Sequence, residues 1–343
     1  MLRNIFSRLY SQLTIVGDNS VWAIDEEARV LEETAKKLGI KASRAKRTPF
    51  NFNRLVHYCS QFSLLNEKIY KSRHKISLDY FHGKPEQGEN FRKCFEALEK
   101  RKQHIGKVRV STKEMEGLIG QIVGTEKVMR IPIGVDLNLF KKINDKSKAR
   151  SALRIPNDAL VIGSFQKDGS GWGEGNEPKI IKGPDIFIKV LQELKKEFPS
   201  VYVLLSGPSR GFVKNGLDKS EIPYKHFFPK DYKEIAKLYE ALDLYIVTSR
   251  EEGGPKAILE SMAMEVPLIT TRVGQATDLV KHGQNAMMAE IDDVHSLVTF
   301  ASQILKDQEL RNTLIKGGLE TAEKNSLEKQ IPLWKEYFKG LIK

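Results

Sequence analysis

Short apolar runs alternate along this chain with longer stretches whose apolar residues recur every three or four positions, the pattern of strands separated by amphipathic helices. The first run, "LTIV", ends at Gly17 and leads into "AIDEEARVLEETAKKLG", where Leu31, Ala35 and Leu38 share a helical face. Asp25 stands where it could cap that helix, and Gly39 where it could end it. Further runs follow at residues 55–60, 75–81, 108–112 and 127–134, with helical patterns between most of them. Beyond residue 150 the alternation sharpens. Strands are predicted at 159–165, 201–207, 244–249 and 267–271, and helices at 184–198, 233–242 and 255–265.

Strands and helices in strict alternation predict an α/β protein with two doubly wound parallel sheets, each a Rossmann-like domain. The polar, basic "KKINDKSKAR" (141–150) reads as the linker, so the first domain ends near residue 145 and the second begins at 151. A length of 343 residues suits two domains.

Charge changes this picture more than composition does. Residues 1–150 hold 30 Lys and Arg against 17 Asp and Glu, a surplus of 13 against +12 for the whole chain, so the remainder is close to neutral. The clusters "KASRAKR" (41–47) and "KRK" (100–102) read either as solvated surface or as a face for a polyanion: anionic lipid headgroups, an acidic acceptor or nucleic acid. Phe6, Leu9, Tyr10 and Leu13 share a helical face beside Arg3 and Arg8, suited to packing on the domain or to lying on a membrane surface. No apolar run approaches the ~20 residues that span a bilayer. Cys59 and Cys94 have neither metal-ligand spacing nor the number for a disulfide framework, so they are expected as buried thiols in a reducing, cytoplasmic setting.

Ligands of doubly wound sheets sit at the carboxyl ends of the strands, where helix amino termini present unpaired N–H groups. After the strand at 159–165, Gly183 is placed to cap a helix that Pro184 begins. Lys182 lies just ahead of that entrance and Lys167 just past the strand, so two ammonium groups could neutralise a diphosphate without a metal. Between them "DGSGWGEGNEP" reads as a mobile surface loop or as a lid that closes over phosphate, with Trp172 excluding water. A second turn, "LLSGPSRG", offers Gly207 and Gly211 for close backbone approach, and also reads as an ordinary loop. In the third, "SREEGGPKAILE", Gly253 and Gly254 let amides approach an anion and Pro255 starts a helix. Glu260 leans back toward that helix start, where a carboxylate can accept two hydrogen bonds from a ribose diol, and Glu252 stands near whatever the diphosphate carries. A capped helix with acid near its first turn is the structural alternative for the pair.

The stretch "EGGPKAILE" matches the E-x7-E signature of retaining family 4 glycosyltransferases, the glycosyl transferases group 1, and the residues around it, "TSREEGGPKAILESMAMEVPLITTRVGQATDLVKHGQNAMMAE", resemble that family throughout. "LVIGSFQKD" with "KGPDIFIKVLQEL" resembles its first donor-domain strand and helix, and "IPIGVDLNLF" its linker entry. The terminal "KNSLEKQIPLWKEYFKGL" resembles the helix that returns to the first domain, which implies a donor domain over 151–325 and a returning helix over 326–343.

The resemblance implies a GT-B fold with an interdomain cleft and a metal-independent, retaining transfer of a hexose-type sugar from a UDP- or GDP-linked donor to a glycan or lipid-linked acceptor hydroxyl. Glu252 would contact the donor sugar, Glu260 the ribose and Lys182 the diphosphate. Lys167 stands where the family has arginine, and Gly207, Gly253, Gly254, Pro255 and Lys256 complete the donor set. His82, in "YFHGKP", is similar to the cleft histidine that touches the donor sugar, and a structural role is its alternative. Gly17, Asp18 and Trp22 are the candidate acceptor contacts, although the turn lacks the usual Gly-Gly. Glu265 departs from the family by replacing a glycine.

No cofactor is expected, and no Asp-x-Asp metal motif occurs. The partners expected are the donor, the acceptor and the inner face of an anionic membrane, with no nucleic acid. Three other classes remain to be separated: a nucleotide-sugar-binding protein without transfer, a polyanion-binding module built on the basic half, and a nicotinamide dehydrogenase, which lacks its G-x-G-x-x-G here.

Overall fold

The computed structural model describes residues 11–17, 23–46, 55–66, 75–142, 145–171 and 173–342. It divides into two units, Met1–Ile133 with Glu328–Lys343, and Gly134–Leu327.

The first unit runs β1 (Leu13–Val16), α1 (Ala23–Lys37), β2 (Ala42–Ala45), β3 (Leu55–Tyr58), β4 (Lys75–Asp79), α2 (Glu89–Arg101), β5 (Ile105–Val110), α3 (Lys113–Val123) and β6 (Val128–Arg130). Its strands are parallel in the order β2-β1-β3-β4-β5-β6. β1, β3 and β4 are buried almost throughout because helices cover both faces, which is why they read as unbroken apolar runs. Asp25 does not cap α1, which already includes it; its Oδ1 lies 2.4 Å from where a Cβ on Gly17 would stand, so a side chain there would displace the Asp25 carboxylate. Gly39, at φ +76, ends the turn after α1.

Two sequence expectations change in this unit. Leu13, grouped above with Phe6, Leu9 and Tyr10 on a helical face, opens β1; the other three lie outside the described residues. The cluster at 41–47 contains the edge strand β2, and Arg44 Nε donates to Glu32 Oε2 at 2.8 Å, which removes one of its charges from a free basic face. Charged side chains on an edge strand also discourage pairing with another chain.

The second unit runs α4 (Lys146–Leu153), β7 (Leu160–Phe165), α5 (Pro184–Glu197), β8 (Val201–Ser206), α6 (Gly211–Lys219), β9 (Tyr224–Phe227), α7 (Ala236–Tyr239), β10 (Leu244–Val247), α8 (Lys256–Ala263), β11 (Leu268–Thr271), α9 (Ala276–Leu279), β12 (Met287–Ala289), α10 (Val294–Lys306) and α11 (Gln308–Lys324). The strands are parallel in the order β12-β11-β10-β7-β8-β9. Most of 141–150, read as a linker, is folded into this unit: Asp145 caps α4, and Arg150 is buried with Asp243 at 2.6 Å. The chain ends in α12 (Leu327–Phe338), whose Trp334, Tyr337 and Phe338 join Leu13, Ile15 and Leu31 in a core of the first unit.

The strand order positions the site. From β7 the chain adds β8 and β9 on one side, then returns to add β10, β11 and β12 on the other. β7 and β10 are therefore neighbours at the point where the winding reverses, and their carboxyl ends open the crevice in which such sheets bind ligands.

Candidate donor site at the strand reversal

Gly183 brings the two strand ends together. It caps α5 in the left-handed conformation (φ +61), with Pro184 at the first helical position, and a Cβ on it would stand 1.9 Å from the Thr248 carbonyl oxygen just past β10. Glycine alone permits both the backbone angle and that approach. The loop after β10 is strapped to the same entrance: the amides of Arg250 and Glu251 donate to Ile181 O at 2.8 and 3.1 Å, and the Arg250 guanidinium grips Asp185 through two 2.8 Å bonds.

Held this way, Lys182 Nζ lies 2.5 Å from Glu252 Oε1, which also accepts from Ser249 Oγ at 2.9 Å. Both partners are largely buried, with side chains 19% and 12% exposed. Sequence reasoning missed a third lysine beside them. Lys179 sits one tight turn before Lys182, and burial pushes its ammonium down to about 8; Lys182 and Lys167 add to that depression and Glu252 opposes it. Its only signal in the sequence is the spacing of "KIIK" ahead of Gly183.

Pro255 does not begin α8. It is the residue before the helix, at φ −59 and ψ 114, and α8 starts at Lys256. Gly253 and Gly254 form the turn in front, with the Gly253 carbonyl accepting from Gln275 N at 3.1 Å. The helix also ends earlier than expected, at Ala263. Glu265 is left-handed (φ 54), a conformation that glycine adopts without strain, and its carboxylate pairs with Lys142 at 2.8 Å.

Glu260 is 3% exposed and holds two tyrosines: Tyr232 donates to Oε1 at 2.7 Å and Tyr239 to Oε2 at 3.0 Å. Lys256 Nζ lies 5.8 Å from the centre of the Tyr232 ring. Neither tyrosine was legible as a partner, because the bonds join residues 28 and 21 positions apart across different elements.

The glycine-rich segment is seated rather than loose. Ser170 N donates to Glu177 O, while the carbonyls of Glu174 and Gly175 accept from Gly211 N and Phe212 N, the first amides of α6. Ser209 Oγ donates to Gly171 O and Gly173 O at 3.2 and 3.0 Å. A Cβ at Gly169 or Gly175 would stand 2.3 Å from Ser209 O, so the close seat needs those glycines. Trp172, the candidate water-excluding side chain, lies outside the described residues. Beneath the segment Asp168 and Arg210 are both fully buried, an ion pair with Nε 2.8 Å from Oδ1, and Arg210 Nη1 donates to Ser164 O and Ser206 O. Gly207, at φ +103, turns its carbonyl to His226 Nε2 at 2.8 Å.

His82 follows β4 with its ring 5.3 Å from Phe91 and its carbonyl accepting from Gln61. Gly17 follows β1; Asp18 and Trp22 lie outside the described residues. Among the described residues His57, Cys59 and Asp79 have ligand-type atoms within 4.8 Å of one another, all buried. His57 already bonds Ser77 and Asp79, and the Arg109 guanidinium lies 3.6 Å from Asp79 Oδ2 and 3.0 Å from Glu27. That arginine places a cation beside the Asp79 carboxylate, so the cluster is an ion-paired core network. Cys59 and Cys94 are both buried thiols. No helix among the described residues is long and apolar enough to cross a membrane.

The two parallel sheets are those of the GT-B fold. The Anabaena protein HepE, solved with UDP and glucose, superposes with a TM-score of 0.76 at 17% identity, covering 96% of this chain and all of that one. A sucrose-phosphate synthase from Thermosynechococcus elongatus gives 0.77 at 15%, over 96% and 98%. Residues 178–321, which hold Lys182, Glu252 and Glu260, match the family described as glycosyl transferases group 1. Among curated relatives, the lipopolysaccharide core biosynthesis mannosyltransferase LpsB of Rhizobium meliloti is 24% identical over 238 residues, 65% of each chain. A D-inositol 3-phosphate glycosyltransferase of Nocardioides is 26% identical over 217 residues, 57% of this chain and 44% of that one. The chain thus spans less than two thirds of the length of these relatives.

Proposed function

We propose that this chain is a retaining glycosyltransferase that moves a hexose-type sugar from a nucleoside-diphosphate donor to an acceptor hydroxyl. The observation that carries the reading is the Lys182–Glu252 pair at the reversal of the second sheet, with Glu260 one helix away. The HepE complex with UDP and glucose supports a UDP-linked donor, and the LpsB name supports a glycan or lipid-linked acceptor.

In this reading Lys182, aided by Lys167, takes the negative charge that develops on the departing diphosphate. Glu252 accepts hydrogen bonds from the sugar hydroxyls and fixes the anomeric carbon, while Gly253, Gly254, Pro255, Lys256 and Gly207 shape the donor pocket. Glu260 receives the ribose. The acceptor oxygen bonds to the anomeric carbon as the carbon–oxygen bond to diphosphate breaks, and the acceptor proton passes to the departing phosphate oxygen on the same face. His82 assists at the sugar, and Gly17, Asp18 and Trp22 contribute to acceptor binding. The ammonium groups supply the charge that a divalent cation would otherwise supply, so transfer is metal-independent. The basic first 150 residues hold the enzyme at the anionic inner face of a membrane.

The test is a thermal-shift panel of nucleotides and nucleotide sugars followed by transfer assays with candidate acceptors, with and without chelator. A bound donor raises the melting temperature by linkage, and released UDP or GDP reports transfer. A shift without release under any acceptor would leave a binding protein only. Absence of any shift at saturating donor would overturn the reading. Neutralising Lys41, Arg44 and Lys46 with Arg47 should abolish binding to anionic liposomes, and unchanged binding would remove the membrane from the proposal.

A further inference from the structure

After β7 the chain makes an excursion and comes back, and the two ends of the excursion are pinned together. Lys179 N donates to Asp168 O at 2.7 Å and Ser170 N to Glu177 O at 2.8 Å, on either side of a bridge between Gly169 and Pro178. The returning chain passes straight into the turn Ile180–Lys182, where Lys182 N donates to Lys179 O at 2.8 Å. Lys182 is therefore placed by the closed base of this excursion. Arg210 holds that base. Its Nε lies 2.8 Å from Asp168 Oδ1, and its Nη1 donates to Ser164 O in β7 and Ser206 O in β8 at 2.6 and 2.7 Å. One guanidinium thus ties two neighbouring strand ends to the point where the excursion closes. Gln166, between β7 and Asp168, joins them: its N donates to Ser206 O at 3.0 Å and its Nε2 to Lys182 O at 3.4 Å.

We propose that the Asp168–Arg210 pair positions Lys182: by fixing the base of the 168–179 excursion against the ends of β7 and β8, it sets where the Lys182 ammonium meets the donor diphosphate. This rests on the donor-site reading above. As a source of stability the pair is a poor choice. Both side chains are fully buried, and burial pushes the Asp168 carboxyl above its usual range although the Arg210 guanidinium opposes the shift. Well-packed apolar side chains of similar volume often stabilise such a place as well or better. What they cannot supply is direction, because a planar guanidinium fixes the angle as well as the distance of the groups it joins. A binding group has to be held within about 0.5 Å of its productive place by the packing and hydrogen bonds behind it. The pair makes its effect through Lys182 and not by touching the nucleotide itself.

The test titrates UDP, then GDP, calorimetrically into the wild type, Asp168→Leu with Arg210→Met, Lys182→Met, and all these substitutions combined, with a urea midpoint for each. The apolar pair should keep a midpoint at or above that of the wild type and bind nucleotide roughly tenfold more weakly, as for one misplaced charged hydrogen bond. In the Lys182→Met background the same pair should weaken binding no further, because the lysine it places is gone. A pair that merely supports the fold would lower the midpoint instead, and would weaken binding by the same factor with or without Lys182. Asp168→Asn with Arg210→Gln, neutral and close in size, is measured alongside and should behave as the apolar pair does, so that poor packing of Leu and Met does not decide the result. Undiminished affinity in a paired variant that folds, an equal further loss on top of Lys182→Met, or unfolding of both paired variants overturns the positioning role and leaves the donor site standing. Failure of both nucleotides to bind the wild type, or wild-type affinity in Lys182→Met, overturns the donor site and the positioning role together.

Discussion

The Lys182 ammonium and the Glu252 carboxylate meet at 2.5 Å although they belong to loops 70 residues apart. They meet because Gly183 lets the entrance of α5 press against the Thr248 carbonyl, and Arg250 locks the two loops through Asp185. Breaking the pair at one end tests the chemistry, and displacing the glycine tests the geometry.

Lys182→Met removes the charge and leaves Glu252 with Ser249 as its remaining hydrogen-bond donor of the two described. Loss of a charged hydrogen bond to phosphate should weaken UDP binding by about 1.5–3 kcal/mol, roughly ten- to a hundredfold. Fluorescence or calorimetric titration measures it, and wild-type affinity in this variant would place the diphosphate elsewhere.

Gly183→Ala puts a side chain at φ +61, within 1.9 Å of a backbone oxygen. The left-handed conformation alone costs about 1–2 kcal/mol and the clash adds to it, so the urea midpoint should fall by the equivalent of at least about 2 kcal/mol. Donor affinity should fall with it.

Tyr232 occupies an acceptor site on Glu260 Oε1 that a ribose diol would otherwise use, while Tyr239 is wholly buried against Oε2 and Glu260 itself is 3% exposed. Tyr232→Phe removes a competitor. UDP should then bind more tightly, by up to roughly tenfold, the net worth of one hydrogen bond to a charged group. Weaker binding in this variant would mean that the tyrosine hydroxyl contacts the ligand instead.

Lys179 shapes stability without ligand. In the unfolded chain it titrates at the ordinary lysine value, and in the fold at about 8. The unfolded state therefore holds the extra proton between those two values, and the cost of a charged buried ammonium, full below pH 8, is relieved as pH rises through that window. Lys179→Met should be more stable than wild type at pH 7 by on the order of 2 kcal/mol, with the gap closing toward pH 10. Denaturant midpoints across pH 7–10 check the sign. A gap that widened with pH would contradict it.

Several features of the site could be read without coordinates. Gly183-Pro184 signals a helix entrance, and Lys182 goes with it because the grammar of helix starts is local. The spacing that puts Glu260 one turn inside a helix beyond Glu252 is local too. The helix limits were less legible. Pro255 suits the first helical position and the residue before it equally well, and Glu265 hides a left-handed residue that glycine would have announced. The edge strand β2 was read as a charge cluster, since an edge strand has no continuous apolar face to declare itself.

By itself the sequence determined the alternation of strands and helices, hence two parallel sheets, and the residue types that could hold an activated sugar. Tertiary structure decided which of them share a corner. The order β12-β11-β10-β7-β8-β9 makes neighbours of β7 and β10, and from that follow the Lys182–Glu252 pair, the lowered proton affinity of Lys179 and the two tyrosines on Glu260. The physical reason is that periodicity and capping depend on residues a few positions apart, whereas burial and charge coupling depend on which strand ends the winding brings side by side.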